Sequence, residues 1–293
     1  MKLLVAYIAT SGGEDAVALG ACLARTFDAE LEICIVIPPQ PESSGDAPEP
    51  IPVEQLTDAL DSAARQWLDQ AASRLPDDIE TTTTIAEHAN PAEGLIVQAH
   101  RTGADMLVIG GAGGGIRGRH TLGTVVNDIL HSSPIPVAVA PPGFAHLGAK
   151  EVRQISVAIG HRPGTRLLFD TALRSGVRAD RPIRLISLVA IDDVQPWRTE
   201  PDQHAVDRAR VHAQQTLDRA RAQLPPEFPV SSVVASGTTI EEAVESLEWQ
   251  DGDVVMVGSS RLAAPNTLFL GTTAAKILRA VSIPMIVVPK ESP

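Results

Sequence analysis

Two textures of apolar residues alternate along the chain. Short runs dense in Val, Ile and Leu, at Lys2–Ile8 (KLLVAYI), Glu30–Ile37 (ELEICIVI) and Met106–Ile109 (MLVI), have the length and β-branching of strands covered on both faces. Between them, apolar positions recur every three or four residues, the spacing of a helix with one buried face. Ala16, Val17, Leu19, Gly20 and Leu23 mark such a face within Glu14–Thr26, and Leu56, Leu60, Ala63, Trp67, Leu68 and Ala71 mark one within Glu54–Leu75. Ile79–Ala86 reads as a Thr-rich strand, Asn90-Pro91 opens a helix with proline in its first turn, and Gly123-Thr124 opens another. Pro136–Ala140 is a last short strand. The tract Pro38–Pro52, rich in Pro, Ser and acids, has neither texture and is expected to be a mobile excursion.

The order β-α-β-α-β-α-β-α-β then repeats. Ile155–Ile159 answers Leu3–Tyr7, Ile183–Ala190 answers the second strand, and Asp207–Leu224 answers the long helix. A strand at Val230–Ala235 and a helix at Thr239–Leu247 follow. DVVMVG at Asp253 answers DMLVIG at Asp105, Gly271-Thr272 answers Gly123-Thr124, and Pro284 answers Pro136, each pair the same number of positions apart. The unit duplicated is a whole domain, not a solenoid repeat. The join falls in PPGFAHLGAKEVR, Pro141–Arg153. Two α/β domains are therefore expected, at 1–143 and 152–293, each a five-stranded parallel sheet with helices on both faces.

In such folds ligands bind beyond the carboxyl ends of the strands, where the strand order reverses. With the first and fourth strands neighbours at that reversal, the loops after Ile8 and Ile109 form the crevice. The second of these, GGAGGGIRGRHTL from Gly110, runs into Gly123-Thr124. Glycines let backbone approach a ligand closely, and a helix start offers N–H groups that favour an anion. The loop thus reads as a phosphate cradle. Arg117 and Arg119 are either solvated or meet a phosphate oxygen, and His120 reads as facing water.

Composition narrows the classes. At 293 residues the chain can bury two cores, and with aromatics at only 3% those cores must be built from Val, Leu, Ile and Ala. A net charge of −12 argues against nucleic acid and anionic membrane as partners. No run reaches the roughly 18 apolar residues of a membrane span, and the first residues lack a signal-peptide pattern, so a cytoplasmic protein is expected. Cys22 and Cys34 read as buried free thiols, and the histidines show no paired metal spacing.

Gly110, Gly113, Gly123 and Thr124 stand in the arrangement G-x-x-G-x(9)-G-[ST], and on these residues the chain resembles the universal stress protein family, as a tandem pair of its Rossmann-like domains. The resemblance implies a non-catalytic stress-response regulator that binds ATP or a related adenine nucleotide, with or without Mg2+, mainly in the first domain. Gly110, Gly113 and Gly123 would admit triphosphate and ribose, Thr124 would add a hydroxyl, and Val125 and Val126 backbone contacts; of the two loop arginines, Arg117 is the one taken as the candidate phosphate contact. The resemblance also implies that the last strands of the two domains pair edge to edge, making an intramolecular pseudo-dimer, with a homodimer of chains as a further level. Two departures stand out. The family's Asp after the first strand, near the adenosine, is replaced by Ile8 and, in the second half, Gly160. The second half also carries Arg261 where the motif has its second glycine, and apolar Leu268-Phe269-Leu270 before its helix. A weak or lost second site is expected there, its loop turned to packing.

Catalysis has little to work with. ATP hydrolysis needs carboxylates for magnesium and a group to orient water, yet the loop from Gly111 to Leu122 contains no acid. Asp105 and Asp128 offer no obvious metal ligand, so no catalytic or metal-binding residue is assigned. Two alternatives stay open: slow hydrolysis using a carboxylate from elsewhere, and a nucleotide-independent interaction protein that engages an unknown protein partner through the acidic tract or Leu268–Leu270.

Overall fold

A computed structural model describes residues 1–39, 53–111, 123–160, 166–194, 203–260, 263 and 267–290. The first half runs β1 (Lys2–Ala6), α1 (Ser11–Phe27), β2 (Glu30–Ile37), α2 (Val53–Ser73), β3 (Thr81–Glu87), α3 (Pro91–Thr102), β4 (Met106–Gly110), α4 (Thr124–Ser132) and β5 (Val137–Ala140). A 3-10 turn at Phe144–His146 leads into the second: β6 (Gln154–Ala158), α5 (Arg166–Ala179), β7 (Ile183–Ala190), the single-turn α6 (Ile191–Val194), α7 (Gln203–Arg221), β8 (Val230–Gly237), α8 (Ile240–Glu245), β9 (Asp253–Gly258), α9 (Thr272–Ala280) and β10 (Met285–Val288). Pro38 and Pro39 apart, the acidic tract lies outside the described residues.

The ten strands among the described residues form one sheet in the order β3-β2-β1-β4-β5-β10-β9-β6-β7-β8. Within each half every pairing is parallel; β5 and β10 meet antiparallel, with Val139 opposite Met285 and Val137 opposite Val287. The expected edge-to-edge pairing is therefore present within one chain, and it covers two strand edges that would otherwise be open. Every residue of β5 and β10 is buried. Each Val, Ile or Met so removed from water is worth about 1.5–3 kcal/mol, which makes this seam a principal attachment between the halves.

Successive strand residues point to opposite faces, and the core follows that rule. Leu3 and Val5 join Leu19, Leu23, Phe27 and Leu217 on one side, while Leu4 joins Leu107, Ile129, Leu130, Ile277 and Leu278 on the other. Both layers contain residues of both halves. On α2 the buried stripe is Ala64, Leu68 and Ala71, whereas Leu60 and Trp67, placed by spacing on the apolar face, are exposed. The linker between the halves is bound to α1 at two places. The buried Asp15 carboxylate accepts from the amides of Gly143 and Ala145, each at 2.8 Å, and Thr26 Oγ1 accepts from Val152 N at 2.8 Å while donating to Cys22 O.

Candidate functional site at the strand reversals

The order of strands reverses between β1 and β4 in the first half and between β6 and β9 in the second. In the first, the chain leaving β1 turns sharply into α1. Thr10 N donates to Ile8 O at 2.7 Å, and Thr10 Oγ1 caps the helix by accepting from Gly13 N. The first turn of α1 lies directly on the end of β4: a Cβ at Gly110 would sit 1.8 Å from the Gly12 carbonyl oxygen. The described geometry thus gives Gly110 a packing reason, close approach of two backbones, in addition to the ligand role implied by the motif.

Across the crevice α4 begins at Thr124. Its N-cap Gly123 has extended backbone (φ −78°, ψ 167°), no side chain among the described residues caps it, and its first turn contains no acid. Thr124 and Val125 are exposed, while Val126 is buried among core residues and its side chain is part of the packing. A helix start without a side-chain cap concentrates partial positive charge from its amides and favours a phosphate. Gly113, Arg117, Arg119 and His120, and in the second half Arg261, lie outside the described residues. Ile8, where the resemblance would put an acid, is 61% exposed and apolar. The acids nearest in sequence are engaged: Glu14 pairs with Arg74 at 2.6 Å, and Asp15 holds the linker. Among the described residues no three His, Cys, Asp or Glu side chains lie together as a metal site.

At the second reversal the strand-end glycine has other neighbours. Among the described residues, a Cβ at Gly258 would meet only Leu168, at 3.6 Å. Hydrogen bonds hold the described part of the loop after β9. Ser259 N donates to Val288 O, Ser260 N donates to Phe269 O, and Ser259 Oγ both accepts from Phe269 N at 2.7 Å and donates to Phe269 O at 3.2 Å. Leu268 and Leu270 are buried in the core layer of α4 and α9, and their amides donate to Ser133 O and Leu130 O of the first half. Two of the three residues that the interaction reading offered to a partner are therefore consumed within this chain.

Sequence reasoning missed Thr10, Asp15 and Ser259. Asp15 had a signal: it precedes Ala16 and lies one helical turn before Leu19 on the buried side of α1, where an acid needs partners. Both cysteines are buried and free, and burial pushes each thiol up to about 12.

A doubly wound α/β chain, duplicated, sharing one sheet and presenting helix starts on Gly123 and Gly271 without side-chain caps among the described residues, defines the class. The chain belongs to the universal stress protein family, whose profile matches residues 1–141 and again 151–289. A universal stress protein of Mycobacterium tuberculosis is 27% identical over 300 aligned residues, covering 99% of this chain and 100% of the relative. A second from the same species is 27% identical over 193 residues, 63% of this chain and 61% of that protein. Among solved structures, a universal stress protein from Archaeoglobus fulgidus superposes with a TM-score of 0.64 at 16% identity, over 98% of both chains. A putative universal stress protein from Pseudomonas aeruginosa gives 0.58 at 14% identity, over 99% of this chain and 93% of the other. These two likenesses concern the fold. Among the described residues no helix is long and apolar enough to cross a membrane.

Proposed function

We propose that the first half, residues 1–143, binds ATP or a related adenine nucleotide at the β1/β4 reversal, and that the chain acts in the cytoplasm as a non-catalytic stress-response regulator. The observation that carries this reading is the start of α4: an exposed, uncapped helix N-terminus beside the strand reversal, with no acid in its first turn. Gly110 and Gly123 give backbone access, Thr124 offers a hydroxyl, Val125 offers its amide, the motif adds Gly113, and the loop adds Arg117 for the polyphosphate. The second half, 152–293, contributes little binding, because its motif carries Arg261 in place of the second glycine, although α9 also begins without a side-chain cap, on Gly271. Occupancy would bias the conformation offered to a protein partner.

Isothermal titration of ATP into wild type and Gly113→Arg, with and without Mg2+, tests the site. Heat that disappears in the variant supports it; equal heats from both proteins would dismiss it.

A further inference from the structure

Residues 268–270 form a strap with two hydrogen-bonding edges. The amides of Leu268 and Leu270 reach Ser133 O (2.8 Å) and Leu130 O (3.1 Å), at the carboxyl end of α4 in the first half. The intervening Phe269 turns its own amide and carbonyl the other way, to Ser259 and Ser260 in the loop after β9. Its ring meets His131 of α4 edge-on, with centroids 4.9 Å apart at 90°. The last carbonyls of a helix have no partners within it, so the second half supplies the carboxyl-terminal cap of a first-half helix.

That helix is short. Nine residues make about 13 Å, and helices of this length are marginal unless something external holds them. The strap holds one end of α4; the other end is the proposed phosphate site. We propose that the strap regulates the nucleotide site: ligand at Thr124–Val125 and strap at Leu130–Ser133 order the same helix, so each favours the other across the seam. This rests on the nucleotide reading above. Because α4 forms cooperatively, a phosphate that suppresses fraying at its start strengthens the carbonyls offered at its end, and losing the strap weakens the phosphate site in return. The loop after β9, bound to the other edge of Phe269, then reports whether the first site is filled.

Amide hydrogen exchange of the full chain, with and without saturating ATP, tests the coupling, alongside ATP titration of Ser259→Ala and Phe269→Ala. Both substitutions lie outside the nucleotide site, and a melting curve checks that each variant is folded. Slower exchange at Leu268 and Leu270 on adding ATP is expected in wild type, together with about fivefold weaker ATP binding in the variants, the low end of measured site-to-site couplings. Protection at Thr124–Val126 with no change at Leu268 and Leu270 would overturn the coupling and leave the nucleotide site standing. No protection at either place would remove the nucleotide reading and the coupling with it.

Discussion

The carboxyl ends of β4 and β9 occupy the same place in their halves, each ending in glycine, Gly110 and Gly258, yet they are put to different use. At the first, the backbone of α1 presses onto the glycine; the facing helices begin alike in both halves, on Gly123 and Gly271, neither with a side-chain cap among the described residues. At the second, a Cβ on the glycine would meet only Leu168 among the described residues, and a serine hydroxyl holds the strap. A duplicated fold therefore fixes where the two strand ends fall, while the packing around each is set by its own neighbours. The halves differ in the same way at the other end of the sheet. Glu32 stands opposite Leu4 in the β1–β2 register, and Arg184 stands opposite Ser156 in the corresponding β6–β7 register, so one sheet position holds opposite charges. Lys2 and Gln98 bind the first, while Asp253, Ser156 and the face of Trp249 surround the second.

The comparison can be broken most forcefully at the seam that both halves share. Val139→Asp places an unpaired charge between β4 and β10, and a loss of about 3–5 kcal/mol in urea unfolding is expected. Asp15→Ala strands the amides of Gly143 and Ala145, a tie described only in the first half; about 3 kcal/mol should be lost. Next comes the pair of glycines. Gly110→Ala drives a methyl into the Gly12 carbonyl and should cost about 2 kcal/mol, whereas Gly258→Ala should stay within about 0.5 kcal/mol. Equal effects would mean that the two strand ends are not packed differently after all.

Smaller effects sharpen the charge comparison. Burial pushes the Glu32 carboxyl up, but hydrogen bonds from Lys2, Gln98 and Thr84 and the charge of Lys2 outweigh it, so its pKa lies below the ordinary 4.5. A depressed folded pKa gives stability that is complete above the ordinary value and lost as pH falls from there through the folded value. Unfolding measured across that window should steepen in wild type relative to Glu32→Gln. Last, with thiols near 12, Cys22 and Cys34 should both resist alkylation at pH 8 until the chain is unfolded.

Much of the fold was legible. Glu30–Ile37, Ile183–Ala190 and Asp253–Gly258 coincide residue for residue with β2, β7 and β9, because unbroken β-branched runs bounded by turns leave little choice. Helices were harder. The segment Arg166–Ala179 went unassigned although it forms α5, and Trp67 was placed on the apolar face of α2 because size and hydrophobicity favour burial; the sheet instead meets the stripe of Ala64, Leu68 and Ala71. At the site, the motif located the helix start at Gly123-Thr124, but nothing local indicated that Gly110 packs on Gly12 or that Ser259 fastens Phe269.

By itself, then, the chain's order of residues determined the alternation of strands and helices, the duplication and the position of the glycine-rich turn, since each depends on spacing between near neighbours. Tertiary structure alone decided that Asp15 serves Gly143 and Ala145, and that the carbonyls of α4 are capped by Leu268 and Leu270. Those partners lie more than a hundred positions apart, and a hydrogen bond over such a span is specified by how the packed layers bring backbones together, which no local pattern encodes.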